Sequence, residues 1–197
     1  MDHYDIISAS FQATMQSIAM SVDELAGPLG RAGDLMSSAL LQDRKVLCCG
    51  EGADAALAML FTSNLLGRFD RDRPALPALC LAADGASLTA IGTGSELQDV
   101  FSRQVRALGQ AGDILLCIDS APEPSRALQR ATQAAAEREL GVVSLLRGAD
   151  NGRAGGTEIG VNSAHRHQVV EIYTMVIHCL CEIIDQNHFG PQHQEPQ

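Results

Sequence analysis

The chain has 197 residues, 46% hydrophobic and 19% charged, which suffices for one domain with a full core and excludes a disordered chain. Its net charge is -10, with Lys45 the only lysine, so it repels nucleic-acid phosphates; direct DNA or RNA binding is excluded, but a partner protein with a basic surface is not. No basic segment joins an apolar run near the start and no apolar run approaches about 20 residues, so a soluble, cytoplasmic protein is expected.

Residues 3 to 26 place Ile6, Ile7, Phe11, Met15, Ile18 and Val22 along one broad helical face. Gly27-Pro28 predicts an interruption, with a second helix from Leu29 to Leu41. Four runs then follow that are uniformly apolar instead of alternating, as strands covered on both faces are: Val46 to Cys49, Ala78 to Leu81, Ile114 to Ile118 and Val142 to Leu146. Glu158 to Val161 is a fifth, weaker strand. Between them, Ala55 to Phe69, Leu97 to Leu108 and Ser125 to Leu140 carry helical spacing, and this alternation predicts a doubly wound parallel sheet. The loop from Gly148 to Gly156 is turn-rich. A last helix over 165–187 is apolar on more than one face, which oligomerisation or a wedged position beside the N-terminal helices would satisfy. Residues 190–197 form a polar tail expected to be disordered. The whole reads as one domain over 1–189, with N-terminal helices at 1–41 and an α/β core at 45–163.

All six cysteines lie in apolar segments, as small buried hydrophobes do; Cys179 and Cys181 are two apart on a helix and diverge, so no zinc spacing is present. Gly50-x-Gly52 lacks the third glycine of a nucleotide-binding loop and is explained by a strand-to-helix turn.

Four segments in order, Lys45 to Gly52, Arg68 to Ala78, Val100 to Leu116 and Ile177 to Asp185, resemble the SIS-domain family of phosphoheptose isomerases and their non-enzymatic relatives, the DnaA initiator-associating proteins. The resemblance runs from the first helix to Phe189 and implies a flavodoxin-like three-layer α/β/α sandwich with a five-stranded parallel sheet and extra N-terminal helices, assembled as a homotetramer through its terminal helices.

Active members of that family cradle a sugar phosphate in two loops, usually Gly-Asn-Gly-Gly-Ser and Ser-Thr-Ser-Gly-Asn-Ser. Small hydroxyls and free backbone N–H groups suit a phosphate dianion. Here the first loop reads Gly50-Glu51-Gly52-Ala53-Asp54 and the second Asp119-Ser120-Ala121-Pro122-Glu123-Pro124. Glu51, Asp54, Asp119 and Glu123 are expected to face the ligand cleft, each opposing a dianion by about 1 kcal/mol at 4 Å in water and more in a less polar cleft. The two prolines remove N–H donors. Two readings of the acids stand: solvated or helix-capping groups, or ligands for a divalent cation.

The family's zinc-dependent members hold the metal with a His and a Glu one helical turn apart, a Gln and a second His. The matching positions are Leu60, Asn64, Val170 and His178, so His178 alone survives, and it reads as a packed helix histidine. No catalytic residue and no cofactor is assigned. The family's Asn-Asp after the second strand is replaced by Thr93-Gly94. His165-Arg166-His167, at the start of the last helix, could hold an anion or be solvated.

The resemblance thus implies a non-catalytic scaffold binding a DnaA-like initiator protein and regulating replication initiation. In the initiator-associating branch a Leu-Phe pair just after the last helix makes that contact, and here the aligned residues are His188 and Phe189. Phe189 is either an exposed aromatic anchor for the partner or a cap on the last helix. The alternatives are a sedoheptulose 7-phosphate isomerase and a regulator binding an uncharged or cationic sugar derivative.

Overall fold

The computed structural model describes residues 2–148 and 156–191. Five parallel strands form one sheet in the order β2-β1-β3-β4-β5: β1 (Val46–Gly50), β2 (Ala78–Cys80), β3 (Ile114–Asp119), β4 (Gly141–Arg147) and β5 (Thr157–Val161). Every residue of β1 and β3 is buried, as uniformly apolar composition requires of strands covered on both sides. Lys45 and Asp113 tie the feet of these strands together. Asp113, 1% exposed, accepts from the Lys45 N–H at 3.0 Å and from its ammonium at 2.5 Å.

Helices α1 (His3–Leu41), α2 (Ala53–Leu66) and α6 (Arg166–Phe189) cover one face of the sheet, while α4 (Val100–Leu108) and α5 (Arg126–Glu137) cover the other. This is the three-layer sandwich expected. Five of the six cysteines are buried in it and Cys179 is half-buried.

The predicted break at Gly27-Pro28 is a correction: α1 runs through Pro28 without interruption. Proline removes one helical hydrogen bond, but the turns after it bury Ala32, Met36, Ala39 and Leu40, and that packing outweighs the local cost. Gly33 permits a close approach of α1 to α6, since a Cβ there would stand 2.5 Å from Ile183 Cγ2. The first half of α1 is different: Tyr4, Ile6, Phe11, Met15 and Met20 are all more than half exposed.

A helix not foreseen, α3 (Gly85–Gly94), follows β2. Its glycines and threonines depress helix propensity and none of its residues is buried, so no apolar period announced it. Asp84 starts it by accepting from the Ala86 and Ser87 N–H groups. The helix before β3 begins as a 3-10 turn at Leu97–Asp99.

The last helix extends to Phe189, two residues past expectation. By length and composition alone its 24 residues could cross a bilayer, although Glu171, Glu182 and Asp185 interrupt its apolar sequence. Half of its most apolar window is buried, and it packs on both α1 and α2 above the sheet, the wedged position that its several apolar faces require. Residues 149–155 of the turn-rich loop and 192–197 of the tail lie outside the described residues.

Candidate functional site at the ends of β1 and β3

With strand order 2-1-3-4-5, the helices after β1 and β3 leave on opposite faces, and the crevice between those strand ends is where such folds hold ligands. It is bounded by the loop from Gly50 to Ala53 and the loop from Asp119 to Ser125. Gly50 has no room for a side chain, since a Cβ would lie 2.6 Å from the Asp54 carbonyl oxygen. Gly52, with φ +61°, adopts the left-handed turn that starts α2.

The expectation that four carboxylates face the cleft is corrected. Asp54 and Asp119 are 3% and 7% exposed and turn inward, whereas Glu51 and Glu123 are exposed. Asp54 Oδ2 accepts from the Ser120 N–H and from the Ser120 hydroxyl, both at 2.9 Å. Asp119 accepts from the Ala121 N–H at 3.1 Å and the Ser125 N–H at 2.9 Å. Glu51 accepts from the Ser125 hydroxyl, and Ser125 Oγ in turn accepts from the Leu128 N–H at 3.3 Å as the N-cap of α5. The start of α5 is where a phosphate would be held. In this chain Glu51 and Asp119 converge on its N-cap instead, and Pro122 and Pro124 offer no N–H.

Burial pushes the Asp119 carboxyl above its usual range; the Ser125 and Ala121 N–H groups pull it down, and Asp54 and Glu51 raise it again, with a net upward shift. The Tyr173 hydroxyl, fully buried, donates to the Asp119 carbonyl at 3.0 Å, and burial followed by the nearby Asp54 and Asp119 holds it well above the ordinary phenol range.

Sequence reasoning left Arg166 as solvated or anion-binding, and the structure gives it a defined seat. Its Nε donates to Ser120 Oγ at 2.9 Å and its Nη2 stands 3.6 Å from Asp54 Oδ2, bridging α6 to both loops. The flanking His165 and His167 rings stack on each other at 5.4 Å, so Arg166 is the cation of that triplet that reaches the crevice. Tyr173 was missed too, although it is one of only two tyrosines and lies two turns further along the same helix.

The positions aligned with the family's zinc site do not fit the metal. Leu60 and Val170 are core-packed hydrocarbons, and Asn64 hydrogen-bonds the Cys181 thiol. His178 lies against Phe69 with ring centroids 5.5 Å apart. Among the described residues no three His, Cys, Asp or Glu side chains gather as a ligand cluster, the strand-end acids included. Thr93 and Gly94 form the exposed last turn of α3.

His188 and Phe189 are the last two residues of α6, not a pair beyond it. Phe189 is half-buried against the core instead of freely exposed. The Arg71 guanidinium donates to the Phe189 and Gly190 carbonyls at 3.0 and 2.6 Å and lies 5.7 Å from the Phe189 ring centroid, with Arg73 at 6.0 Å on the same ring. His188 Nε2 contacts the Ser37 carbonyl at 3.2 Å.

A flavodoxin-like sheet with its crevice at the β1–β3 switch, flanked by a long first helix and an apolar last one, defines the class: a doubly wound α/β domain of ligand-binding type. Residues 10–146 match the SIS domain family, and the chain belongs to that family. It is 40% identical over 200 residues to a phosphoheptose isomerase of Halorhodospira halophila, covering 96% of this chain and 98% of that one. It is 37% identical over 194 residues to the DnaA initiator-associating protein DiaA of Photorhabdus laumondii, covering 95% and 98%. The solved structure of a phosphoheptose isomerase from Francisella tularensis superposes with a TM-score of 0.87 at 34% identity, covering 94% of this chain and 100% of that one. Relatives of both names span nearly the full length, so the resemblance stands and similarity leaves the two functions undivided. The expectation of a non-enzyme gains no support from relatives named as isomerases.

Proposed function

We propose that the chain is a non-catalytic SIS-domain protein resembling DiaA, a cytoplasmic homotetrameric scaffold that binds a DnaA-like initiator and regulates replication initiation. The observation that carries this reading is the start of α5, where Glu51 and Asp119 hydrogen-bond the Ser125 N-cap and stand where a sugar phosphate would need free donors. The replaced acid, base and metal positions at Leu60, Asn64 and Val170 support it. Assembly is supported by the exposed apolar first half of α1 and by a groove of Ile18, Val22, Leu25, Leu29 and Met175 between α1 and α6. In this reading Phe189, set by Arg71 and Arg73, meets the initiator with the part of its ring left uncovered by the core, beside His188.

Co-migration of the purified protein with DnaA on size-exclusion chromatography tests the reading, with Phe189→Ala as control. A complex lost in the variant is expected, together with no turnover of sedoheptulose 7-phosphate in the presence of zinc. The second reading, a phosphoheptose isomerase, is favoured by the names of relatives at 40% and 41% identity. Zinc-dependent turnover that His178→Ala abolishes would establish it and overturn the first.

A further inference from the structure

The helical cover of the sheet stops short at its β2 edge. Val142, Leu115, Leu47 and Leu79 stand in register across β4, β3, β1 and β2, one apolar row on the α4–α5 face. The first three are 8%, 0% and 0% exposed, whereas Leu79 is 40% exposed. Its neighbours Ala78 and Cys80 point to the opposite face and are buried there. The layer that α4 and α5 shield elsewhere is therefore bare over β2.

α3 and α4 flank this bare strip. They close on each other at the turn that joins them, where a Cβ on Gly92 would stand 3.1 Å from Leu97 Cδ1. Away from that turn they leave a groove of about 570 Å³, open to solvent, with Leu79 in its lining. Ala90 and Ile91 line it from α3, Ala107 and Leu108 from α4, and Leu108 is 42% exposed. The polar groups along it differ in how far they are engaged. Asp84 accepts from the Ala86 and Ser87 N–H groups at 3.0 and 3.2 Å and from the Ser87 hydroxyl, so the start of α3 already answers its charge. The Gln104 amide donates to the Leu81 and Val100 carbonyls at 2.9 and 2.8 Å. Arg103 is exposed, contacts the Ser95 hydroxyl at 3.5 Å, and forms no ion pair among the described residues. In a chain of net charge -10, an unpaired guanidinium beside an apolar groove complements an acidic partner.

Shape selects the form of that partner. β2 is three residues long, too short a ladder to hold an added strand. A small-molecule site encloses most of its ligand, whereas this groove lies open. Two copies meeting groove to groove about a two-fold axis would give Arg103 no free acid. A helix suits the strip, since helices are what cover the faces of a doubly wound sheet.

We propose that the β2 edge groove is a docking site for an amphipathic helix of a partner protein, with the apolar stripe of that helix on Leu79, Ile91 and Leu108 and an acidic residue beside the stripe paired with Arg103. The site is separate from initiator binding, because Phe189 packs on the other face of the sheet, and from the crevice at the ends of β1 and β3.

The test is titration of the methyl-labelled full chain with two synthetic alanine-based peptides of about 18 residues, long enough to be helical alone. Both carry leucines at helical spacing; one has a glutamate and the other a lysine beside that stripe. Saturable shifts at Leu79, Ile91 and Leu108 are expected with half-saturation on the order of 1 mM, and the glutamate peptide should bind about three- to fivefold more tightly, as suits an exposed ion pair. Arg103→Gln should abolish that preference and leave the shifts. Leu79→Asn should weaken both peptides about tenfold or more with an unchanged melting temperature, since the side chain it replaces is exposed. Shifts that grow without saturation, equal affinity for the two peptides, or saturation at Ile18 and Met175 between α1 and α6 instead would overturn the proposal. Leu79 shifts that follow protein concentration without any peptide would assign the groove to a second copy and overturn it as well.

Discussion

The helices on the two faces of the sheet are held down by different means. On the α1–α2–α6 face, helices meet through bulky aliphatic side chains, one glycine-to-isoleucine contact at Gly33, and a buried ion pair. Arg73 Nε bonds Asp185 Oδ1 at 2.7 Å with side chains 1% and 5% exposed, and the same guanidinium caps α2 at the Asn64 and Leu65 carbonyls. On the α4–α5 face, Ala127, Ala131, Ala134 and Ala135 bring α5 close to the strands. Its ion pairs sit at the rim: Arg106–Glu137 is nearly half exposed on both sides, and Arg130 reaches Glu96 and Asp99 from the surface. Such exposed pairs contribute about 0–1 kcal/mol. The first face therefore specifies how its helices sit through bulky side chains and a buried charge pair, whereas the second relies on the close approach of small residues, with its charges left at the rim. The difference teaches where change is tolerated.

Arg73→Met should have the largest effect, because it leaves Asp185 buried without its partner and uncaps α2; a loss of about 3–5 kcal/mol in urea unfolding is expected. The double change Arg73→Met with Asp185→Leu should recover much of it. A single-variant loss below about 1 kcal/mol would remove the ion pair from the account of this face. Gly33→Ala comes next. Overlap with Ile183 costs about 1–3 kcal/mol, helix propensity returns up to about 1, and a net loss that Ile183→Ala partly relieves in the double variant would sharpen the close-contact argument. The smallest effect belongs to the boundary between the faces. Asp119 has a raised carboxyl, so the folded state binds its proton more readily than the unfolded one. Its contribution to stability is fully present below the ordinary aspartate range and is lost as pH rises through its raised value. The stability of the parent relative to Asp119→Asn should accordingly decline with rising pH across that window, and a flat difference would contradict the shift.

The strands were legible because burial on both sides leaves no choice of residue: Ile114 to Ile118 could not be a solvated face. Alternation of strand and helix then gave the layers. The course of α1 through Pro28 was not legible, since a local rule opposed packing against α6 that only the assembled domain supplies. The crevice was half legible. Sequence order placed Glu51, Asp54, Asp119 and Glu123 at strand ends, but whether a strand-end carboxylate faces outward or folds back on its own loop depends on which N–H groups the turn leaves free. Asp54 found Ser120 and Asp119 found Ser125, contacts spanning 66 and 6 residues.

The single lysine at the foot of β1 has a practical consequence. Its ammonium is held by Asp113, and the peptide bond that follows leads into Val46, whose N–H is bonded to the Pro77 carbonyl at 3.0 Å. A lysine-specific endoprotease therefore has one target in the entire chain, and it lies at the seam between the long first helix and the rest of the domain. That bond reaches a protease active site only when the start of β1 comes away from its neighbours β2 and β3, so the rate of a single cut serves as a clock for opening of that end of the sheet.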